Sequence, residues 1–208
     1  MKLYDYVLSG NCYKIRLLLG FLDLDYEKRP VDFFPGREHK SDAFLKINPL
    51  GQIPVLEDGE IRIRDAQAIL IYLASRYDKS GEWFPGQSHS QIAEVAQWLA
   101  FSDMITSTAS AARLHDMLGY NLDIDAARAG AHRLLRVLED HLAHQEFDGH
   151  DWLAGRRPTI ADISCFPYVA LAEDGGIDLF CYPAILRWIR RFTALDGFHS
   201  MPGINVSP

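Results

Sequence analysis

Three residues near the start of the chain have side chains that could stabilise a negatively charged atom. The stretch SGNCYK places Ser9, Asn11 and Cys12 in a turn that leads directly into a helix-like segment. Free backbone N–H groups and the helix dipole favour an anion at such an N-terminus, and the same surroundings lower the pKa of a thiol. The turn therefore predicts a site for an anion or a thiolate, whose sulfur belongs either to Cys12 or to a ligand. A turn with a plain helix cap is the alternative interpretation.

A proline at the start of a strand-like run gives a second candidate site. In INPLGQIPVLEDG, Pro54 stands where a proline would remove a backbone donor from a sheet. If the Ile53–Pro54 bond is cis, the chain turns sharply and the backbone N–H and C=O groups of Ile53 face outward. Those groups could then pair with a peptide-like ligand, as an added strand pairs with a sheet edge.

A carboxylate at the start of a third helix-like run gives the last candidate. Asp65 opens the run DAQAIL, and an acidic residue in this position commonly complements the helix dipole. It could also hold the ammonium group of a ligand, while the backbone N–H groups of Ala66 and Gln67 hold a carboxylate.

The hydrophobic pattern predicts the elements that position these residues. Strand-like KLYDYVL, helix-like YKIRLLLGFLDL and strand-like YEKRPVDF make a βαβ unit, so the two strands should be parallel, with Pro30 at an edge. A short helix in SDAFLKI comes next. Two strand-like runs then meet at Asp58–Gly59, which is a strong hairpin signal, and the helix-like run AQAILIYLASRY follows them.

The rest of the chain is helical in pattern. Residues 79–90 are polar and rich in turn formers, so they are predicted to be a linker. After the linker, apolar residues recur at helical spacing, as at Val95 and Leu99. The predicted architecture therefore joins an α/β domain at residues 1–78 to an all-α domain at residues 91–208.

The composition indicates which kinds of partner and which cellular compartment to expect. The chain has 208 residues and a formal net charge of −7, which disfavours a nucleic-acid partner. Its three cysteines, Cys12, Cys165 and Cys181, have no metal-ligand spacing, so no metal site is predicted, and they suggest a reducing compartment. No apolar run approaches the ~20 residues that a membrane span needs. We therefore expect a cytoplasmic protein without a membrane partner.

Four segments together resemble one known family. They are SGNCYKIRLLL, NPLGQIPVLEDG, RDAQAILIYLASRY and TIADISCFPY, and they are spread along nearly the whole chain. Together they resemble the soluble, cytosolic glutathione S-transferases of the bacterial serine-type or beta-like classes. The resemblance implies a thioredoxin-like N-terminal domain, a C-terminal helical bundle and a homodimer. It also implies glutathione as a co-substrate, no further cofactor, and a site for a small hydrophobic electrophile between the two domains.

The same resemblance implies which residues contact glutathione. By position these are Ser9, His39, Gln52, Ile53, Pro54, Asp65 and Ala66. Ser9 is expected to donate a hydrogen bond to the glutathione sulfur, with Asn11 as the competing catalytic residue. Cys12 is expected to be a small buried apolar residue. In the family, the proline matching Pro54 is cis and the residue matching Ile53 pairs its backbone with the cysteinyl part of glutathione.

Ala66 departs from the family pattern. The family usually has a serine there, whose hydroxyl binds the γ-glutamyl carboxylate, whereas Ala66 keeps only its backbone N–H. A lost hydrogen bond to a charged group costs roughly 1.5–3 kcal/mol. We therefore expect weak glutathione affinity.

The second substrate is expected to lie against the helix within residues 91–118. Met104, Thr108 and Arg113 are the candidate contacts, with Met117 beside them, because methionine suits an adaptable apolar pocket.

The function that this resemblance implies is glutathione transfer for detoxification. The site would lower the pKa of the glutathione thiol, and the thiolate would attack a hydrophobic electrophile. The alternatives are a glutathione-dependent isomerase, lyase or dehalogenase on the same fold, or a non-catalytic binding protein. Asp103 is considered as a residue that reaches the glutathione site of a partner subunit.

Overall fold

A computed structural model of the chain describes residues 1–86 and 88–204. Its strands are β1 (Lys2–Asp5), β2 (Glu27–Pro30), β3 (Val55–Asp58) and β4 (Ile61–Arg64). The α-helices that it describes are α1 (Gly10–Phe21), α2 (Asp42–Leu45), α3 (Ala66–Tyr77), α4 (His89–Ile105), α5 (Ala111–Leu118), α6 (Ile124–Phe147), α7 (Ile160–Ala170) and α8 (Pro183–Thr193). A π-helical segment, Thr106–Ser110, joins α4 to α5, and 3₁₀ turns cover Glu38–Lys40 and Ala172–Gly175.

The first part of the chain is built around a mixed sheet with the strand order β2-β1-β3-β4. β1 runs parallel to β2, as the βαβ pattern predicts, and antiparallel to β3. β3 and β4 form the expected hairpin, in which Gly59 has a φ of 59°, a conformation that glycine adopts without a steric cost. The exposed edge strand β2 ends at Pro30, where a proline disturbs the sheet least. The predicted α/β architecture is confirmed.

The second part is all-helical, as predicted, and α7 lies at its centre. Every residue of α7 from Ile160 to Val169 is buried, and α7 packs against both α4 and α1. The Thr159 side chain and the Asp162 carboxylate cap its N-terminus reciprocally. Asp162 also accepts hydrogen bonds from the backbone N–H of Leu153 and from Trp188 Nε1, both at 3.0 Å. These bonds fix the position of α7 against Leu153 and α8 within the helical part.

One continuous apolar core joins the two parts. α3 ends at Tyr77 and α4 begins at His89, and between them the Trp83 ring stacks on Phe21 with centroids 4.7 Å apart. The aromatic stretch EWFPG therefore packs, through Trp83, against the first part of the chain. The domain boundaries at residues 78 and 91 stay predictions.

The C-terminal stretch returns to the first part of the chain. It has neither helix nor strand between residues 199 and 204, but Met201 and Ile204 are buried. The Tyr13 hydroxyl on α1 donates a hydrogen bond to the backbone C=O of His199 at 2.6 Å. Residues 205–208 lie outside the described residues.

Within the described residues, every helix is too short or too polar to cross a lipid bilayer.

Candidate active site

Two hydroxyl oxygens occupy the N-terminus of α1. Ser9 is the N-cap residue, and its Oγ accepts a hydrogen bond from the backbone N–H of Cys12 at 3.2 Å. The backbone N–H of Asn11 donates to the Oη of Tyr168, also at 3.2 Å. Tyr168 belongs to α7 in the other half of the chain. The turn is therefore a helix cap, as one interpretation predicts, and both hydroxyls remain beside the positive end of the helix dipole.

Cys12 is not the thiolate of this site. Its side chain is fully buried, with Sγ 3.9 Å from the backbone C=O of Tyr4. Burial, helped by the charge of Asp5, raises the pKa of Cys12 to about 12. The thiol therefore stays protonated at neutral pH, so a thiolate here would have to come from a ligand. The expectation that Cys12 is a small buried residue is confirmed.

The segment around Pro54 presents an unpaired backbone. The Ile53–Pro54 bond is cis, as predicted. Ile53 is half-buried, and neither its N–H nor its C=O makes a backbone hydrogen bond with any described residue outside the regular elements. Asn48, which sequence reasoning missed, braces the preceding loop, because its Nδ2 donates to the C=O of Gln52 at 2.8 Å and its Oδ1 accepts from the N–H of Leu50 at 3.1 Å.

Asp65, at the start of α3, and Asp103, on α4, form an acidic pair. Asp65 has a φ of 77°, and its Oδ1 caps the helix by accepting from the N–H of Ala68 at 2.9 Å. The buried Gln67 side chain donates to Asp103 on α4 and to the Ser102 hydroxyl. Burial, followed by the charge of Asp65, raises the pKa of Asp103. Two neighbouring carboxylates that repel each other in this way suit a ligand ammonium.

A cationic group lies elsewhere on the cleft. Arg37, His39 and Lys40 all face it, and Lys40 Nζ is held by the C=O of Gly51 at 2.8 Å. His39 is buried against the Phe33 ring, with centroids 4.2 Å apart. Burial lowers the pKa of His39, and the charges of Lys40 and Arg37 lower it further. The lasting positive charge at this place therefore comes from Arg37 and Lys40, which suit a carboxylate.

These groups line one cleft of about 440 Å³ between the two halves of the chain. Apart from Asp103, ten of the residues singled out from the sequence lie on it: Ser9, Asn11, His39, Gln52, Ile53, Pro54, Asp65, Ala66, Arg113 and Met117. Sequence reasoning missed Arg37, Lys40 and Tyr168 as cleft residues, and Asp103, assigned to a partner's site, lines the cleft of its own subunit. Only one of these four has a local signal, since Asp103 is an acidic residue in an otherwise apolar helical run.

Met104 and Thr108 do not line the cleft. Met104 is 47% exposed, and the Thr108 methyl group lies against Gly130 on α6. The helical side of the cleft instead carries Asp103, Thr106, Ser110, Arg113, Leu114 and Met117. The candidates therefore divide along the helix: Arg113 and Met117, which follow the π-helical segment, line the cleft, whereas Met104 and Thr108 do not.

Arg113 ties the helical wall to the loop that carries Ser9. Arg113 is 6% exposed. Nε donates to Asp174 Oδ2 at 2.9 Å, and Nη1 donates to the backbone C=O of Leu8 at 3.0 Å. A residue predicted as a substrate contact therefore also holds the backbone immediately before Ser9.

Known protein families match both halves of the chain. Residues 1–75 match the glutathione S-transferase N-terminal domain, and residues 121–195 match the glutathione S-transferase C-terminal domain.

Individual relatives agree with these matches. A zeta-class glutathione S-transferase from Euphorbia esula is 44% identical over 97% of this chain and 90% of its own length. Human glutathione S-transferase theta-2 is 30% identical over 82% of this chain and 71% of its own length.

Solved structures share the fold of both halves of the chain. A possible glutathione S-transferase from Rhodopseudomonas palustris superposes with a TM-score of 0.84 at 30% identity, covering 100% of this chain and 92% of that chain. A glutathione transferase homolog from Lodderomyces elongisporus, whose structure holds two GSH per subunit, has a TM-score of 0.82 at 26% identity and covers 94% of each chain.

Proposed function

The chain belongs to the glutathione S-transferase family, and from that premise we propose that it binds glutathione in the cleft and ionises the thiol for attack on a hydrophobic electrophile. The observation that carries the proposal is the arrangement of polar groups along the cleft. The unpaired backbone of Ile53 and the hydroxyls at the start of α1 lie on the same cleft as the acidic pair and the cationic group. Glutathione has chemical groups that match each of them.

Each part of the tripeptide has a counterpart in this arrangement. The γ-glutamyl ammonium suits Asp65 and Asp103, and its carboxylate suits the backbone N–H of Ala66. The cysteinyl backbone suits Ile53, in the manner of an added strand. The glycine carboxylate suits Arg37 and Lys40. The L. elongisporus structure, which holds glutathione on a similar fold, supports glutathione as the ligand.

In the proposed mechanism the protein contributes charge stabilisation and positioning. The thiol loses its proton to solvent, and the thiolate remains beside the N-terminus of α1, where Ser9 donates its hydroxyl hydrogen to the sulfur. The sulfur then attacks the electrophilic carbon of a substrate held within reach. The apolar side chains of Leu114, Met117 and Leu118 make a hydrophobic molecule the natural second substrate.

A glutathione-dependent isomerase is the second candidate, and the 44% identity with a zeta-class relative favours it. Zeta-type isomerases also use a serine at the position of Ser9, but their SSC triplet is replaced here by SGN. Conjugation consumes the thiol of glutathione, whereas isomerisation regenerates it. Thiol titration during turnover of a haloarene and of a cis-enedione therefore separates the two.

The first experiment is equilibrium binding of glutathione by calorimetry. We expect millimolar binding that weakens about tenfold in Asp65→Asn, because asparagine still caps a helix but carries no charge for the ammonium. Asp125→Asn is the matched control, since Asp125 is an exposed carboxylate in the first turn of α6, away from the cleft. Absence of binding at millimolar glutathione would replace the transferase with the non-catalytic alternative.

Homodimer formation, a cytoplasmic location and a role in detoxification are proposed with this function. Light scattering on the purified protein tests the first of these, with a mass of about twice 23.6 kDa expected.

A further inference from the structure

The Tyr168 hydroxyl lies at the same helix end as the Ser9 hydroxyl. Tyr168 Oη accepts from the backbone N–H of Asn11, and Ser9 Oγ accepts from that of Cys12, in each case at 3.2 Å. The two oxygens are therefore bound to successive N–H groups in the first turn of α1. Both residues line the cleft, so a sulfur seated at this helix end would meet both hydroxyls.

The phenol keeps a proton that it can donate. Burial raises the pKa of the Tyr168 hydroxyl, and the nearby Ser110 hydroxyl and Asn11 N–H oppose the rise without cancelling it. The group is therefore neutral at physiological pH. Its oxygen accepts from the Asn11 N–H, and among the described residues no observed hydrogen bond uses its own hydrogen.

The surrounding residues fix the ring in this place. Gly10, the first residue of α1, has no side chain, and a Cβ there would lie 2.6 Å from Cε1 of Tyr168. Any larger residue would push the phenol away from the helix end. Tyr168 is itself only 7% exposed, so its position is set by packing and not by solvent.

We propose that the Tyr168 hydroxyl donates a second hydrogen bond to the glutathione sulfur, alongside Ser9, and that the helical half of the chain thereby supplies a catalytic residue. This inference rests on the proposed function. No bond is made or broken by Tyr168: the thiol proton leaves to solvent, and the phenol stabilises the thiolate that remains.

The test measures the pKa of glutathione bound to the protein, from the ultraviolet absorbance of the thiolate. Tyr168→Phe should raise that pKa by about one unit and, below it, lower kcat/KM about tenfold. Ser9→Ala should have an effect of the same kind, and the double variant a larger one. The dissociation constant of glutathione measured well below the thiol pKa should stay within about twofold of the wild type, because the bond is made to the thiolate.

A second substitution separates donation from a merely structural role. Site-specific 3-fluorotyrosine at position 168 keeps the ring in place but makes the phenol a stronger donor, so the thiol pKa should fall. Tyr182→Phe is the control: Tyr182 is a buried tyrosine of the helical half whose hydroxyl lies 2.9 Å from His132 Nδ1, and its loss should leave the thiol pKa unchanged.

The outcomes distinguish this inference from the proposed function. A wild-type protein that lowers the thiol pKa, with no response to either substitution at Tyr168, would overturn the inference and leave the transferase standing. A wild-type protein that binds no glutathione, or binds it with an ordinary thiol pKa, would overturn both.

Discussion

A single missing hydroxyl, at Ala66, is expected to limit glutathione affinity. Ala66 lines the cleft at the first residue of α3. Ala66→Ser should bind glutathione about tenfold or more tightly, because a hydrogen bond to a charged group contributes about 1.5–3 kcal/mol. Calorimetry measures the change. Ala68→Ser, in the same helical turn but exposed and outside the cleft, should bind as the wild type does, and equal affinities for all three proteins would contradict the prediction.

The burial of Lys14 predicts a pH dependence of stability. It is fully buried on α1, its Nζ has no hydrogen-bond partner among the described residues, and it lies 5.5 Å from the centroid of the Tyr168 ring. Burial lowers the pKa of Lys14 from 10.5 to about 8. Since the unfolded chain then binds more protons than the folded one between these values, this residue makes stability rise with pH across that window.

Lys14→Met should remove this rise. The free energy of unfolding of the wild type, minus that of the variant, should increase by about 3 kcal/mol between pH 7 and pH 10. Urea titrations at several pH values measure it, with Lys46→Met at an exposed position as the control. Parallel pH profiles for wild type and Lys14→Met would show that the ammonium is not desolvated in the folded chain.

At the scale of single residues, the sequence predicts the parts of the site that depend on local motifs. Ser9, Ile53 and Asp65 each stand in a short pattern with its own physical reason: a helix start, a proline turn and a helix cap. Tyr168 has no such pattern. Its bond to Asn11 spans 157 residues of sequence, so only the packing of α7 on α1 reveals it.

At the scale of elements, turn and cap signals predict more than helical spacing does. The parallel strand pair and the hairpin follow from chain connectivity and from Asp58–Gly59, and both are confirmed. The helical side of the cleft is predicted only in part, since Arg113 and Met117 line it but Met104 and Thr108 do not. The π-helical segment between α4 and α5 alters the helical spacing there, and no residue in TSTAS marks it in advance.

The lining of the cleft predicts different effects for two methionines of nearly equal exposure. Met117 is 46% exposed and lines the cleft, whereas Met104 is 47% exposed and does not. Met117→Ala should raise the KM for a hydrophobic electrophile about fivefold to tenfold, because roughly 1–1.5 kcal/mol of apolar contact is lost. Steady-state kinetics with an alkyl-substituted haloarene measure it. Met104→Ala is the matched control, and an equal effect of both would mean that lining the cleft does not decide which methionine contacts the electrophile.

At the scale of the whole molecule, the cleft exists only where the two halves meet. The first half supplies Ser9, Ile53, Asp65 and the cationic group, and the helical half supplies Asp103, Tyr168 and the apolar wall. The sequence predicts both halves, but their relative placement depends on contacts such as the one between Arg113 and the Leu8 carbonyl. The local sequence around neither residue predicts such a contact.

Arg113 should therefore act on the thiol as well as on the second substrate. Arg113→Met removes the hydrogen bond to the Leu8 C=O and frees the loop that carries Ser9. We expect the pKa of bound glutathione to rise by about half a unit to one unit, since a hydroxyl that is less well placed stabilises the thiolate less. Measuring this in the complex with glutathione alone excludes any contact between Arg113 and the electrophile.

Arg128→Met is the matched control for this prediction. Arg128 binds the same 3₁₀ turn, through the C=O of Gly175 at 2.9 Å, and pairs with Asp116 at 2.6 Å, as Arg113 pairs with Asp174, but its observed bonds all lie within the helical half. Both variants should lose stability in urea, because each removes an arginine that binds the turn region. Only Arg113→Met should change the thiol pKa, and a shift of the same size in Arg128→Met would mean that the turn itself, and not the link to Leu8, sets the position of Ser9.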